Sequence, residues 1–339
     1  MGTIRKIVSK NSKIFILLGV LIALIFLMSM LHERFFTMQN FTSMGFQMAE
    51  FGILAIAMSL VILTGGIDLS ISFNAMLGGI VSVMLMRFMM ELGMPDSVTM
   101  IAGILTILVI CTINGMFNGI FVSYVGVMAI LVTLGSRSIF EGIGLNITRG
   151  AAISGFPSAF AFIGQGTVLN YIPMPLVIYI AVIIVVSVCL KRTPWGVSVY
   201  MLGGNERATR FSGINTRAVQ MRVYMVCGLL AGVAGVVMTS RYNSARTDYG
   251  SIFVMQSVSA AVLGGADIGG GSGSVAGTVI AVAILQVISS GLNIFGVNRN
   301  LVDIINGAIL IAVLTINFLV NRRRNLKANV VPTSPATES

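Results

Sequence analysis

The sequence predicts an all-α integral membrane protein with about ten transmembrane helices, arranged as two parallel-repeat bundles that contain broken helices. The 339 residues are 56% hydrophobic and only 9% charged, whereas soluble domains carry about 25% charged residues. Apolar runs long enough to cross a bilayer recur along the chain. A short glycine-aspartate element that interrupts these runs occurs at Gly65 and again at Gly264, an offset of 199 residues.

The hydropathy of the chain predicts ten spans. The eighth has only about half the length that a bilayer requires, so we expect a broken or tilted element there, beside the loop 264–274. The predicted spans cover residues 14–31, 45–64, 73–90, 99–115, 120–140, 172–190, 219–239, 254–264, 275–295 and 301–320. Segment 146–172 is expected to be an external excursion, and Trp195 is expected to be an anchor at the membrane surface.

The basic residues cluster in three segments, 5–13, 191–222 and 322–327. The positive-inside rule explains these clusters and places both termini in the cytoplasm, which requires an even number of spans. We therefore expect a cytoplasmic segment at 1–13, a transmembrane domain at 14–321 with a cytoplasmic loop at 191–222, and a cytoplasmic tail at 322–339. No basic groove with aromatic stacking residues accompanies the net charge of +10, so we expect no nucleic-acid partner.

The sequence offers no set of residues for catalysis or for metal binding. Cys111, Cys189 and Cys227 lie singly in apolar stretches, and His32 is the only histidine. This excludes a structural zinc site and a Cys-His catalytic pair. The glycine-rich stretch before Ser274 lacks the Lys-Ser or Lys-Thr that completes a phosphate-binding loop. We expect neither an enzyme nor a cofactor bound by this chain.

The repeated element indicates a transporter built from internal repeats, because it breaks hydrophobic segments at similar places in two halves. The same offset also pairs Gly78 with Gly277. Asp68 and Asp267 are interpreted either as helix caps or as polar hinges at a gate, and a proton relay is a third alternative. The candidate gate and hinge residues are Gly65, Gly66, Asp68, Gly264, Gly265 and Asp267.

Polar residues inside spans usually face the bundle interior or a cavity. Those that could line the path of a polyhydroxylated solute are Asn74, Asn118, Thr133 and Gln256, together with Glu50 and Asn293. Hydrogen bonding between helices is the alternative for each of them.

Segment 204–213 is predicted to form a short helix, with Asn205 as its cap, Gly213 as its stop and an i,i+4 pair between Glu206 and Arg210. So short a helix needs a neighbour to stabilise it, so docking to a cytoplasmic partner is one interpretation and a solvated loop is the other. On the opposite side, Arg241 and Arg246 stand where the positive-inside rule disfavours them. Each is expected either to pair with Asp248 or to contact an external binding protein.

Three ordered motifs carry a family resemblance over residues 45–320. They are Ile62-Leu63-Thr64-Gly65-Gly66-Ile67-Asp68-Leu69-Ser70, then Gly204-Asn205-Glu206-Arg207-Ala208 ending in Ser212-Gly213-Ile214, and Ala260-Ala261-Val262-Leu263-Gly264-Gly265 continuing to Ser274. With them the chain resembles the ribose-type monosaccharide and autoinducer-2 permeases of bacterial ABC importers. Arg207 and Thr209 depart from the pattern that this family often shows.

The resemblance implies a multi-pass permease of the bacterial inner membrane that pairs with a second permease, identical or related, within the lipid bilayer. It also implies a periplasmic sugar-binding protein and a cytoplasmic ABC ATPase, which would use ATP and Mg. The residues expected to couple to that ATPase are Gly204, Asn205, Glu206, Ala208, Arg210, Gly213 and Ile214. The alternative is a proton- or sodium-coupled secondary transporter with Glu50, Asp68 or Asp303 as its coupling acid.

Overall fold

The computed structural model describes residues 12–169, 171–298, 300–302, 304–312 and 315. The expected tail at 322–339, most of the expected segment at 1–13, and Asp303 lie outside these residues. The helices are α1 Ser12–Leu31, α2 Met38–Leu63, α3 Ile71–Glu91, α4 Asp96–Ile120, α5 Ala129–Thr148, α6 Ser158–Gln165, α7 Met174–Arg192, α8 Pro194–Gly204, α9 Glu206–Phe211, α10 Thr216–Tyr242, α11 Ser251–Leu263 and α12 Val275–Ile294. Further helical residues follow at 300–302 and 304–312. A 3-10 turn, Glu33–Phe36, joins α1 to α2, and the strands Thr167–Val168 and Ile172–Pro173 form an antiparallel hairpin before α7.

Helices α2 and α10 form the centre of the molecule. The residues of α2 from Ala49 to Leu63 are all buried, and most of α10 is buried as well. A helix that is apolar on every side is typical of a protein core or of a membrane span. Their neighbours α3 and α4 present exposed apolar side chains on their outer faces, as expected for contact with lipid.

Helices α4 and α10 approach each other closely through glycines. A Cβ atom on Gly115 would lie 2.9 Å from the Gly228 Cα, and one on Gly232 would lie 3.1 Å from the Leu108 Cα. Such small-residue contacts let two helix backbones pack without side chains between them, which is typical of membrane helices. This contact fixes α10 against the first half of the chain.

Seven of the described helices are long and apolar enough to cross a membrane: α1, α2, α3, α4, α7, α10 and α12. The protein is therefore a helical, multi-pass membrane protein. The eighth predicted span corresponds to α11, which has only 13 residues, so the short element is confirmed. The number of ten spans stays a prediction.

The fifth predicted span, 120–140, is wrong in its boundaries. Helix α4 continues through a π-helical turn, Phe121–Val125, and the chain then turns at Gly126, whose φ of +85° is left-handed. Helix α5 begins only at Ala129 and extends to Thr148. The break lies inside a continuous apolar run, so hydropathy could not locate it.

The two predicted loops contain regular structure. Segment 146–172 holds α6 and the hairpin, and α6 is bound to the end of α10 because the Ser240 hydroxyl accepts the Gly164 N–H (2.7 Å) and donates to the Phe160 carbonyl (2.5 Å). Segment 191–222 holds α8, α9 and the first turns of α10. Within it, Trp195 is half-buried and packs against the large hydrophobic core that α2 and α10 mainly form.

Candidate functional site

Both glycine breaks meet at one end of the bundle, together with the end of α8. The Gly271 N–H donates to the Leu63 carbonyl at 2.9 Å, and the Tyr200 hydroxyl donates to the Gly273 carbonyl at 3.1 Å. A Cβ atom on Gly203 would collide with the Leu63 carbonyl oxygen and the Gly271 nitrogen. We call this contact of residues 63–66, 203–204 and 269–273 the glycine junction.

The two breaks end their helices in the same way. The Gly66 N–H donates to the Val61 carbonyl (3.1 Å), and the Ala266 N–H donates to the Ala261 carbonyl (3.0 Å). This is the Schellman arrangement, which places a left-handed residue one position earlier. Those residues are Gly65, with φ of +81°, and Gly265, with φ of +94°.

The structure thus corrects the register of the repeat. Gly65 is equivalent to Gly265, one residue beyond the Gly264 that the sequence match pairs with it. Gly78 and Gly277 are not equivalent, because Gly78 is in the second turn of α3, whereas Gly277 is the third residue of α12. The second break is one residue shorter between its left-handed glycine and its aspartate.

Asp68 and Asp267 stabilise the breaks rather than cap the helices that follow. The Asp68 Oδ1 accepts the Ser70 N–H (2.9 Å) and the Ser70 hydroxyl (2.6 Å). The Asp267 Oδ1 accepts the Gly269 N–H (3.0 Å). The N-cap positions belong to Ser70 and Ser274, and only Ser274 caps with its side chain. The capping interpretation is therefore wrong in detail, because each carboxylate accepts the backbone N–H of the residue two positions later and so stabilises the turn.

Asp68 is buried, and a polar network surrounds it. The Asn118 amide donates to the Ser70 hydroxyl at 2.9 Å, and the Cys227 thiol contacts the Asp68 Oδ2 at 3.6 Å. Burial raises the pKa of the Asp68 carboxyl, while the hydrogen bonds from Ser70 act in the opposite direction. Asp267, in contrast, is only half-buried. The network joins the first break to α4 and α10.

Three of the residues predicted to line a path belong to this network or adjoin it. The Asn74 amide donates to the Cys111 carbonyl (3.0 Å) and its oxygen accepts the Asn114 amide (2.8 Å). The Thr133 hydroxyl donates to the Ile67 carbonyl at 3.0 Å. The hydrogen bonds of Asn74, Asn118 and Thr133 connect helices and loops, as the alternative of bonding between helices expects, and their role in lining a path stays a prediction. Gln256 does line a cavity.

Helix α9 projects from the glycine junction. Asn205 caps it, because its Oδ1 accepts the Ala208 N–H at 3.0 Å, and Gly213 ends it with a φ of +81°. Both features confirm the predicted short helix. Within the described part of the chain, Glu206 and Arg210 form no ion pair. Phe211 is 93% exposed at the end of the helix, and Arg207 and Arg210 are exposed beside it.

A polar cavity of about 240 Å³ lies between α2, α10, α11 and α12, on the far side of the bundle from the glycine junction. An ion pair of 2.9 Å joins the Arg241 Nη1 to the Glu50 Oε1, and the Tyr242 hydroxyl donates to the Glu50 Oε2 at 2.9 Å. The lining residues come from four helices and one later segment: Gln47, Glu50, Phe51, Arg241, Tyr242, Ile252, Phe253, Gln256, Leu285, Gln286, Ser289, Asn293 and Val302.

The two arginines predicted to contact a binding protein have different surroundings. The Arg241 side chain is 24% exposed and points inward to Glu50. Arg246 is 46% exposed and pairs with Asp248 at 2.7 Å. Only Arg246 is well placed to reach a partner. The pairing with Asp248 was expected for either arginine, and it occurs for Arg246.

Sequence reasoning missed several residues of these sites. Tyr200 precedes the quoted motif, and Gln286 and Ser289 lie in an otherwise apolar helix. The periodicity of Gln286, Ser289 and Asn293, at intervals of three and four residues, is the signal that could have placed them on one face of α12.

Comparison with known proteins agrees with this geometry. A family described as the permease component of branched-chain amino acid transport systems matches residues 40–314. The chain belongs to this permease family. It is 34% identical over 297 residues to the ribose import permease protein RbsC of Bacillus subtilis, which covers 87% of this chain and 89% of that protein.

Two further relatives show how wide this similarity is. The autoinducer 2 import system permease protein LsrD of Yersinia enterocolitica is 36% identical over 269 residues, 78% of each chain. RbsC of Escherichia coli is 34% identical over 302 residues, 88% of this chain and 91% of that protein. No solved structure matches the chain significantly. The resemblance drawn from the three motifs is confirmed.

Proposed function

We propose that this chain is the membrane-spanning permease subunit of an ABC importer for a monosaccharide or a similar polyhydroxylated solute. One observation carries the proposal beyond family membership: the exposed helix α9 emerges from the contact between both glycine breaks. A force applied to α9 from outside the membrane would therefore reach the two places where the helices are interrupted. The permease is not itself an enzyme.

The partner that applies this force is a cytoplasmic ABC ATPase, which binds ATP and Mg²⁺ in place of this chain. The surface offered to it is the α9 segment, with Gly204, Asn205, Glu206, Ala208, Arg210, Gly213 and Ile214. Phe211 adds an apolar anchor, because its side chain is 93% exposed. Exposed aromatic residues commonly become buried hot spots in interfaces.

The glycine breaks are the hinges of this mechanism. Gly65, Gly66, Gly264 and Gly265 supply the backbone freedom of two helix ends. Asp68 and Asp267 hold the turns that follow each helix end. Helices on either side of the breaks would rotate when the ATPase closes, so that the solute path opens alternately to the two sides of the membrane.

The membrane arrangement follows from the charge distribution. We place α9 and both termini in the cytoplasm of a bacterium, and the cavity on the external side, in the inner membrane. About ten spans in two parallel bundles are consistent with the matching Schellman ends of α2 and α11. The proposed domain limits are 1–13, 14–321 and 322–339.

The outer face of α5 supports pairing with a second permease. Arg137 and Glu141, near the middle of this helix, have side chains 34% and 41% exposed. A charge facing lipid at that depth costs about 2.5–3.5 kcal/mol. Gly135, Ser138 and Gly142 are exposed on the same helix. A second permease, identical or related, would cover this face and shield the charges from lipid.

The solute and the external partner are proposed from the relatives. The relatives are named import permeases for ribose and for autoinducer 2, which are small and rich in oxygen. A periplasmic sugar-binding protein would deliver such a solute. Arg246, exposed on the side opposite α9, is the candidate contact, and Arg241 belongs to the cavity instead.

A proton- or sodium-coupled transporter is the rival function. Two of its candidate coupling acids are already bonded, Glu50 to Arg241 and Asp68 to Ser70. Sugar uptake by cells expressing the transport system separates the two functions. Uptake should continue after the proton and sodium gradients are collapsed while ATP is held constant. Loss of uptake under these conditions would favour the rival.

A further inference from the structure

We propose that the cavity between α2, α10, α11 and α12 is a binding site for one neutral polyhydroxylated molecule of monosaccharide size, complete within a single copy of the chain. The residues that would form hydrogen bonds with the molecule are Gln256, Ser289, Asn293 and the Gln47–Gln286 pair. The inference rests on the proposed function, since it names the place where the permease holds its solute.

The cavity has the volume and position that such a site needs. Its 240 Å³ corresponds to the space of about eight water molecules, which suits a molecule of monosaccharide size. Glu50 and Leu63 are 13 residues apart on α2, so the cavity lies about 20 Å along this helix from the glycine junction. Asn293 lines the cavity and is exposed, so the cavity communicates with the surroundings.

The polar side chains of the cavity keep hydrogen-bonding capacity. Within the described residues, the side chains of Gln256, Ser289 and Asn293 make no hydrogen bond, although all three line the cavity. Gln286 uses one amide hydrogen to bind the Gln47 oxygen at 3.1 Å. Amides and hydroxyls both donate and accept, and so do the hydroxyls of a sugar. The spare groups therefore match a neutral solute with several hydroxyls.

Among the described residues that line the cavity, the charged side chains are Glu50 and Arg241, which pair with each other. Glu50 is 1% exposed, and Arg241 and Tyr242 bind both of its oxygens at 2.9 Å. A zwitterion, such as a branched-chain amino acid, would have to compete with this ion pair for both partners. A buried ion pair that loses one partner is strongly destabilised. The site thus favours an uncharged ligand.

One wall of the cavity is aromatic. Phe51 and Phe253 are stacked, with ring centroids 6.2 Å apart and planes at 26°. Such a surface packs against the C–H face of a sugar ring, while the amides on α11 and α12 bind its hydroxyls. An aromatic surface together with hydrogen-bonding groups would orient an uncharged molecule in the cavity.

Cysteine protection in the purified full-length chain, held in lipid nanodiscs, tests the site without the ATPase. Ser289→Cys is introduced in a Cys189→Ala background, because Cys111 and Cys227 are buried, and is labelled with sulfonatoethyl methanethiosulfonate. D-ribose, L-rhamnose and L-leucine are the probes. A bound sugar should slow labelling about tenfold at about nine times its dissociation constant. The control Ser251→Cys is exposed outside the cavity and should label equally fast with and without sugar.

A second pair of variants tests the residues named. Adding Gln256→Leu should abolish the protection, whereas Gln39→Leu, the same change at an exposed position of α2, should leave it intact. The inference is overturned if Ser289→Cys fails to label while Ser251→Cys labels. It is equally overturned if neither sugar protects, if only leucine protects, or if protection survives Gln256→Leu.

These outcomes distinguish a failure of this site from a failure of the proposed function. ATP-driven uptake without protection would support the importer function and contradict this binding site. Protection by a sugar without ATP-driven uptake would support the binding site and contradict the importer function.

Discussion

The Gly271 N–H donates a hydrogen bond of 2.9 Å to the carbonyl oxygen of Leu63, which joins the second glycine break to the last residue of α2. The end of α8 packs into the same contact, with Gly203 between the two. Three segments that are distant in sequence therefore meet at one point. Under the proposed function, a displacement of α9, which directly follows α8, is expected to reach both breaks.

Gly203→Ala should reduce ATP-driven uptake strongly and lower thermal stability by about 1–3 kcal/mol, the usual cost of overpacking. The added methyl group has no space, because the Leu63 carbonyl and the Gly271 nitrogen occupy it. Uptake and the unfolding temperature of the purified chain are the measurements. Gly19→Ala is the control, since nothing lies within 4 Å of a Cβ there. Wild-type uptake in Gly203→Ala would contradict the junction's role.

Asp68→Asn should keep most of the stability and uptake, whereas Asp68→Leu should lose both. The Asn oxygen can still accept the two hydrogen bonds from Ser70, but leucine leaves the buried N–H and O–H donors of Ser70 without their acceptor, which costs about 1–3 kcal/mol. Thermal unfolding in detergent and uptake in cells measure the difference. If a well-expressed Asp68→Asn chain loses all transport, the carboxylate itself is needed, which would favour the gate or proton-relay interpretation.

Glu50→Gln and Arg241→Met should each destabilise the protein by about 3–5 kcal/mol, because each leaves a charge without its buried partner. The double variant should lose less stability than the sum of the two. A double-mutant cycle from unfolding temperatures or denaturant midpoints gives the coupling energy. Additive losses would show that the 2.9 Å ion pair contributes nothing specific to the joining of α2 and α10.

The exposed face of α5 should contact a second permease in the membrane. With Ser138 replaced by p-benzoylphenylalanine, illumination should cross-link the chain either to its own copy or to a related permease, identified by mass spectrometry. Val109, an exposed residue of α4, carries the same group as a control and should cross-link to neither. Equal cross-linking to lipid alone at both positions would mean that Arg137 and Glu141 face the bilayer.

The positions of the two glycine breaks could be predicted because a helix that ends in a left-handed residue requires glycine there. The equivalence of Gly65 with Gly265 could not, since the linker to Asp267 is one residue shorter and the sequence match follows the aspartates instead. Only the backbone hydrogen bonds of each helix end reveal the correct register.

The sequence also marked the buried polar residues without revealing their partners. Asn118 and Gln256 look alike in sequence, yet Asn118 binds Ser70 and Gln256 lines the cavity. The difference depends on which helices pack together, which no local pattern records. The Glu50–Arg241 ion pair joins residues on two different helices, so it was equally invisible.

The most direct test of the account is co-purification of the tagged full-length chain from mildly solubilised membranes of its native host. The wild-type chain should elute with an ABC ATPase, and Phe211→Ser should elute without it while inserting normally, because Phe211 is 93% exposed and contributes to docking rather than to folding. A wild-type chain that elutes without an ATPase, in a detergent shown to preserve such complexes, would contradict the account and favour a secondary transporter.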